Sequence, residues 1–274
     1  MAIGYNPALR RLNKMSGTEE LTEERRASYK GVAIKTIFFA LLTFLAAVIS
    51  VLAIYATLQP TADGVSIVAN EDAFMSTILI VIIGGAILTF VGMIGSIFSK
   101  KGTTLAVFGS LYAIGQGMSL GFLSGIAELL VSGIVVSALL STFVVFGVMS
   151  LLFFTGAIKV GEKFRSAMRS ILISVLLFSL LFLLASFFLP SFVSMWATSP
   201  MFGWLSIAVS VIMIIIASLM ILYNLSTIQQ AVDNGLEKQY EWFGAFGLTV
   251  TLIWLYTEFL RLFLKIAILF GKKR

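Results

Sequence analysis

Long apolar stretches alternate with short polar connections along most of this chain, and every stretch is of membrane length. They fall at about 35–58, 75–99, 104–127, 132–158, 167–189, 201–228 and 244–270. Each is near or above the roughly 20 residues that a membrane-crossing helix needs. The pattern predicts seven helices in an all-α integral membrane protein. Residues 1–32 contain no such run; they carry Arg10, Arg11, Lys14, Arg25, Arg26 and Lys30 against four Glu. They read as a cytosolic polar arm, in which Ser16 and Glu19 stand at capping-box spacing. The expected organisation is an arm over 1–32, a seven-helix domain over 33–270 and a basic tail over 271–274. The polar start is too long ahead of the first apolar run to read as a secretory signal.

The connections alternate in charge. The 59–74 loop has no Lys or Arg and carries Asp63, Glu71 and Asp72, whereas Lys100 and Lys101 follow the second run. The turn near Glu128 is again without a basic residue, and the next connection holds Lys159, Lys163, Arg165 and Arg169. The 190–200 segment has none, and the last connection has Lys238. Because cytoplasmic loops collect Lys and Arg, the N-terminus is expected in the cytoplasm, with even-numbered runs returning to it. Seven full spans then put Lys272, Lys273 and Arg274 outside, against that rule. In this reading the first six helices set the topology; a re-entrant seventh run is the alternative.

Within the runs, small and polar residues are placed regularly. In the third, Gly109, Ala113, Gly117, Gly121 and Gly125 recur every four residues, which lets neighbouring backbones approach closely in lipid. Gly84, Gly85, Gly92 and Gly95 repeat the theme more weakly in the second run. Beside the ridge of the third run, Tyr112, Gln116 and Ser119 share a face. Gln116 reads either as a cavity-lining group or as an interhelical hydrogen-bonding residue. The sixth run holds one strongly polar side chain, Asn224, followed by Ser226. The seventh carries a stripe at offsets of three and four: Gly244, Gly247, Thr251, Trp254, Glu258, Arg261 and Lys265. Such a face cannot point at lipid tails without large cost, so this helix belongs inside the bundle. Glu258 is an intramembrane carboxyl and therefore a functional candidate. Its structural reading is an ion pair with Arg261 three residues on.

Composition narrows the chemistry. The 274 residues are 59% hydrophobic and 12% charged, with a mean hydropathy of +1.04; a soluble domain carries about twice that charged fraction. The net charge of +6 follows from basic cytoplasmic loops and does not imply nucleic-acid binding. With no Cys and no His, thiol chemistry, imidazole bases and the usual zinc or haem sites are excluded. An intramembrane hydrolase is not expected, since no Asp pair, Ser–His or set of metal ligands stands at helical spacing. Nor is a transporter, since no inverted repeat with broken helices is visible. A bacterial inner membrane fits this composition.

With Asn6 to Leu12 ahead of the first run, Gln116 to Gly121 in the third, and Glu241 to Leu248 running on to Trp254 to Leu262 in the last, the chain resembles the Bax inhibitor family, also called the transmembrane Bax-inhibitor-motif family, in its longer bacterial branch. The resemblance rests on Asn6 to Leu12, on Lys35-Thr36, and on Tyr112-Ala113 with Gln116 to Gly121. It continues through Thr155 to Val160 with Lys163-Phe164. It is longest over Glu241 to Leu248 and Trp254 to Leu262. It implies six helices surrounding a central C-terminal seventh. It also implies a pH-sensitive calcium leak, closed in the family by an acidic pair on helices six and seven. Here Glu258 fills the seventh-helix position, but the sixth-helix acid falls at Asn224, a second acid at Ser226, and a third-helix Glu at Gln116.

The ion pathway or gate is therefore expected at Glu258, Asn224, Arg261 and Gln116, with secondary polar lining from Ser226, Tyr112, Ser119 and Thr251. Gly109, Gly117, Gly121 and Gly125 are assigned to helix packing. No cofactor or resident metal is expected: calcium takes about six to eight oxygen ligands, so one Glu with amide carbonyls offers at most a weak, transient Ca2+ contact. Expected partners are the lipid bilayer, Ca2+ or other cations, and other membrane proteins, but no nucleic acid. The alternative function is a non-conducting regulatory protein that binds membrane proteins such as a protease. In a tight hairpin turning near residue 236, Glu258 lies roughly 15 Å deeper than Asn224. Their pairing thus requires much of Asp233 to Phe243 to lie along the membrane surface, and this is the expectation.

Overall fold

Seven helices organise the described residues, and α1 and α3 turn small or hydroxylated faces inward. The computed structural model describes residues 26–60, 66–68, 71–188 and 200–271. In chain order they are α1 (Tyr29–Tyr55), α2 (Glu71–Phe98, with a π-helical turn at Ile80–Gly84), α3 (Gly102–Leu130) and α4 (Ile134–Phe154), then α5 (Glu162–Phe188), α6 (Pro200–Asp233) and α7 (Tyr240–Gly271). A short antiparallel ribbon, β1 (Leu58–Pro60) with β2 (Ser66–Val68), lies between α1 and α2, with Leu58 opposite Val68. Helices α1 to α4 and the Trp204–Asp233 part of α6 are long and apolar enough to cross a membrane. The chain is a multi-pass, membrane-type helical protein. Of the expected arm over 1–32, residues 1–25 lie outside the described residues and α1 already begins at Tyr29; residues 189–199 and, of the expected tail over 271–274, residues 272–274 also lie outside them.

α1 shows how the sequence solves burial in lipid. Ser28 caps it from an extended backbone, its hydroxyl accepting from the Gly31 N–H at 3.0 Å, as N-cap serines do. Val32, Thr36, Phe39, Thr43, Ala46 and Ser50 form its buried seam. Thr36, Thr43 and Ser50 donate to the carbonyls of Val32, Phe39 and Ala46, so no hydroxyl on that seam is stranded. Ile34, Ile37, Leu41, Phe44, Leu45, Ile49 and Leu52 are exposed. Lipid tails are as apolar as these side chains, so nothing drives them inward.

The glycines of α3 serve two neighbours. A Cβ on Gly117 would run into the Thr43 carbonyl and Ala46, and one on Gly121 into the Ala47 backbone, both on α1. Gly109 lies under Phe39 of α1 and Phe246 of α7. Gly125 is looser, with Val51 3.9 Å away. On the α2 side, Gly92 meets the Tyr112 backbone, and Gly115 meets the Gly85 carbonyl and Thr89.

α7 is a single uninterrupted helix of 32 residues, about 48 Å long, and packs against α6, α1, α4 and α3. α6 ends in a Schellman motif: Gly235 takes φ 62°, its N–H meets the Val232 carbonyl, and the Leu236 N–H meets that of Ala231. Only residues 234–239 separate α6 from α7. The expectation of a long surface-lying segment over Asp233 to Phe243 is thereby corrected. Both helices continue about a turn beyond the apolar runs, and the connection is a tight hairpin. Cross-contacts fix the direction of travel. Gly102 at the start of α3 meets Gln239 at the start of α7, and Tyr29 at the start of α1 meets Phe154 at the end of α4. Arg165 near the start of α5 meets Ser226 near the end of α6. At the far end Lys265 reaches Ser206 and Ser210 of α6. α7 therefore runs alongside α6 for most of its length as one unbroken helix.

Candidate functional site

The polar side chains gather at three levels along α7. At its start is Glu241, which is fully buried. Its carboxylate pairs with Lys35 of α1 and accepts from both the backbone N–H and the hydroxyl of Ser28, each at 3.0 Å. Lys35 also lies over the Trp242 ring, 5.2 Å from its centroid, a favourable cation–π position. Gly31 leaves the space that the carboxylate fills, since a Cβ there would overlap it. Just ahead of α1 the chain pairs with the α6–α7 connection: the backbones of Arg26 and Glu237 form an isolated antiparallel β-bridge, and the Ala27 N–H donates to the Leu236 carbonyl at 2.7 Å. A cavity of about 110 Å³ adjoins this junction, lined by Ala27, Val32, Asn224, Ile228, Glu241 and Gly244 among others.

One level deeper, Asn224 of α6 is 9% exposed. Its amide donates to the Gly247 carbonyl at 3.1 Å and to the Thr251 hydroxyl at 2.7 Å. Thr251 in turn donates back to Gly247 at 3.0 Å. Asn224 can approach this closely because residue 247 has no side chain; a Cβ there would lie 3.3 Å from the Asn224 Oδ1. The hairpin puts residue 224 opposite residues 247 and 251, as a turn centred between 236 and 237 requires. Glu258 lies seven residues beyond Thr251, about 10 Å further along the axis. The expected Asn224–Glu258 pair does not form, and Asn224 bonds to Gly247 and Thr251 instead.

At the third level Glu258 is 6% exposed. It accepts from Trp254 Nε1 at 3.3 Å and from Arg261 Nη1 at 3.2 Å. Both partners belong to α7 itself, one turn before and one turn after. The Arg261 side chain is about half exposed. One turn further, Lys265 donates to the Ser206 carbonyl at 3.0 Å and to Ser210 at 2.8 Å.

The other expected site residues are scattered around these levels. Ser226 is buried and accepts from Arg165 Nε at 2.9 Å. Tyr112 is buried against Phe246, ring centroids 5.3 Å apart. Gln116 is half-buried, and Ser119 donates to its own helix at Gly115. Tyr256, by contrast, reaches Ser124 of α3 at 2.7 Å. The structure thus brings Asn224 to Thr251, and Arg261 to Glu258, but does not gather all the expected residues at one point. Among the described residues, no group of three or more acidic side chains stands together as a metal site. The residues that sequence reasoning left without a role are Glu241, Lys35 and Ser28. Lys35 was visible as a cation inside the opening turns of an apolar helix, and Glu241 as a carboxyl directly before another. Their distance of 206 positions in the chain hid the pairing.

No curated protein matches the chain, but the family model described as Bax inhibitor 1 like matches residues 6–268, nearly the whole sequence. The protein belongs to the Bax inhibitor 1 like family.

Proposed function

We propose that the protein is a calcium-type cation leak in a bacterial inner membrane. In this reading its N-terminus is cytoplasmic, six helices surround α7, and Glu258 is the gating carboxylate. The observation that carries the reading is the placement of Glu258. It is a nearly buried acid whose hydrogen bonds from Trp254 and Arg261 both come from its own helix. Such a carboxylate can change its charge, or meet a passing cation, without breaking a contact between helices. One Glu with neutral oxygens nearby suits a transient cation contact rather than a tight site. The test is flux of calcium into dye-loaded liposomes from wild type and Glu258→Gln side by side. Wild type should leak above empty liposomes, and the variant should change the pH dependence. No flux above empty liposomes removes the reading.

A second reading has its own support. Asn224 is neutral, and its amide is already used on Gly247 and Thr251, so helices six and seven carry no facing acids to sense protons together. This favours a non-conducting regulator that binds other membrane proteins, among them a membrane protease. Recovery of a membrane-protein partner with the intact chain, lost when residues 1–25 are removed, would support it. Recovery that is independent of the arm would argue against it.

A further inference from the structure

We propose that Lys35 and Glu241 form a latch that straps the start of α1 over the cavity between α1 and the α6–α7 hairpin. Glu241 is fully buried and takes three donors, all from the segment 28–35: the Ser28 N–H, the Ser28 hydroxyl and the Lys35 ammonium. The same segment roofs the cavity, with Ala27 and Val32 on one side and Asn224, Ile228 and Gly244 on the other. Beneath it continues the polar seam of Asn224, Gly247 and Thr251 that leads toward Glu258. Gly31 is required by the same arrangement, because any side chain there would displace the carboxylate. A buried charge stripped of its partner is strongly unfavourable. Loss of either member therefore drives the 26–35 segment away from the hairpin and opens the cavity to water at that end.

The proposal does not depend on conduction, and its test reads accessibility rather than flux. The chain has no Cys, so Val32→Cys supplies a single thiol on a buried cavity wall. The full-length protein in lipid nanodiscs is modified with a charged, water-soluble thiol reagent. With the latch intact the thiol is shielded. Adding Lys35→Met or Glu241→Gln should speed modification by at least about tenfold, while Lys35→Arg, which keeps the charge, stays near the parent rate. Ser28→Ala removes one of the three donors and should give a smaller increase; it covers the case in which Lys35→Met fails to fold. A thiol at Ala217, fully buried in the α6–α7 core, should stay shielded throughout. Unchanged Val32→Cys rates in folded Lys35→Met, Glu241→Gln or Ser28→Ala protein overturn the latch. Equal gains at Ala217→Cys overturn it too, because they mark general loosening.

Discussion

Asn224 separates two accounts of the α6–α7 pair, and thermodynamic coupling decides between them. Asn224→Ala removes two hydrogen bonds, to Gly247 and to Thr251. The Gly247 carbonyl is not orphaned, because the Thr251 hydroxyl still donates to it. The Thr251 hydroxyl likewise keeps that role as donor. The loss is therefore that of two net hydrogen bonds without a stranded partner. Side-chain hydrogen bonds between membrane helices average about 0.6 kcal/mol each, so the expected destabilisation is about 1–2 kcal/mol. A stranded polar group would raise it to about 3 kcal/mol or more. The assay is equilibrium unfolding in mixed micelles on a double-mutant cycle of Asn224→Ala with Thr251→Val. A coupling of about 0.5–1.5 kcal/mol is expected, as for residues in direct contact. The parallel cycle with Glu258→Gln should be additive to within about 0.5 kcal/mol, since the two sites share no partner. Strong coupling to Glu258 with none to Thr251 would refute the hairpin register on which this rests.

The glycine ridge of α3 should respond unevenly. Gly117→Ala forces a methyl group onto the Thr43 carbonyl and should cost about 1–3 kcal/mol by overpacking. Gly125→Ala has its nearest neighbour at 3.9 Å and should be near neutral or slightly stabilising; equal losses at both positions in the same unfolding assay would contradict the packing. At the turn between α3 and α4, Glu128 accepts from the Gly133 and Val135 N–H groups. It caps α4 where Gly133 has no side chain to do so. Glu128→Ala should cost about 1–2 kcal/mol, with Glu128→Gln retaining part of that stability. Indifference to both would show that the cap is dispensable.

Seven helices, the four-residue glycine spacing and the polar stripe of α7 were all legible in the sequence. Each is a periodicity carried by one segment. The positions of Gly117 and Gly121 could be read as close-approach sites because lipid-embedded helices have few other ways to meet. What the sequence could not supply was register between segments. Asn224 and Glu258 read as partners only if the α6–α7 connection were long. The Schellman stop at Gly235 makes it short and moves Asn224 to Gly247 and Thr251. The Glu241–Lys35 pair was hidden for a related reason. Lys35 has no charge partner at helical spacing, the Lys238 that stands three residues before Glu241 lies ahead of α7, and only the fold brings Lys35 and Glu241 together.

The three polar levels of α7 are tied differently, which restricts how the bundle can move. α7 is tied to α6 by Asn224 at the second level and, one turn beyond Glu258, by Lys265, which reaches both Ser206 and Ser210. Sliding or rotating α7 against α6 breaks these bonds together in a medium where water cannot replace them. The polar tie to α1 is different in kind. It is a single junction at the edge of the bundle, next to a cavity, where water can take over the donors as the segment leaves. The least costly opening is therefore between α1 and an α6–α7 hairpin that stays intact. Glu258 travels with that hairpin without losing either of its bonds, since both come from α7. Charge at Glu258 and closure at Glu241 are thus mechanically separable, one within a helix and one between helices.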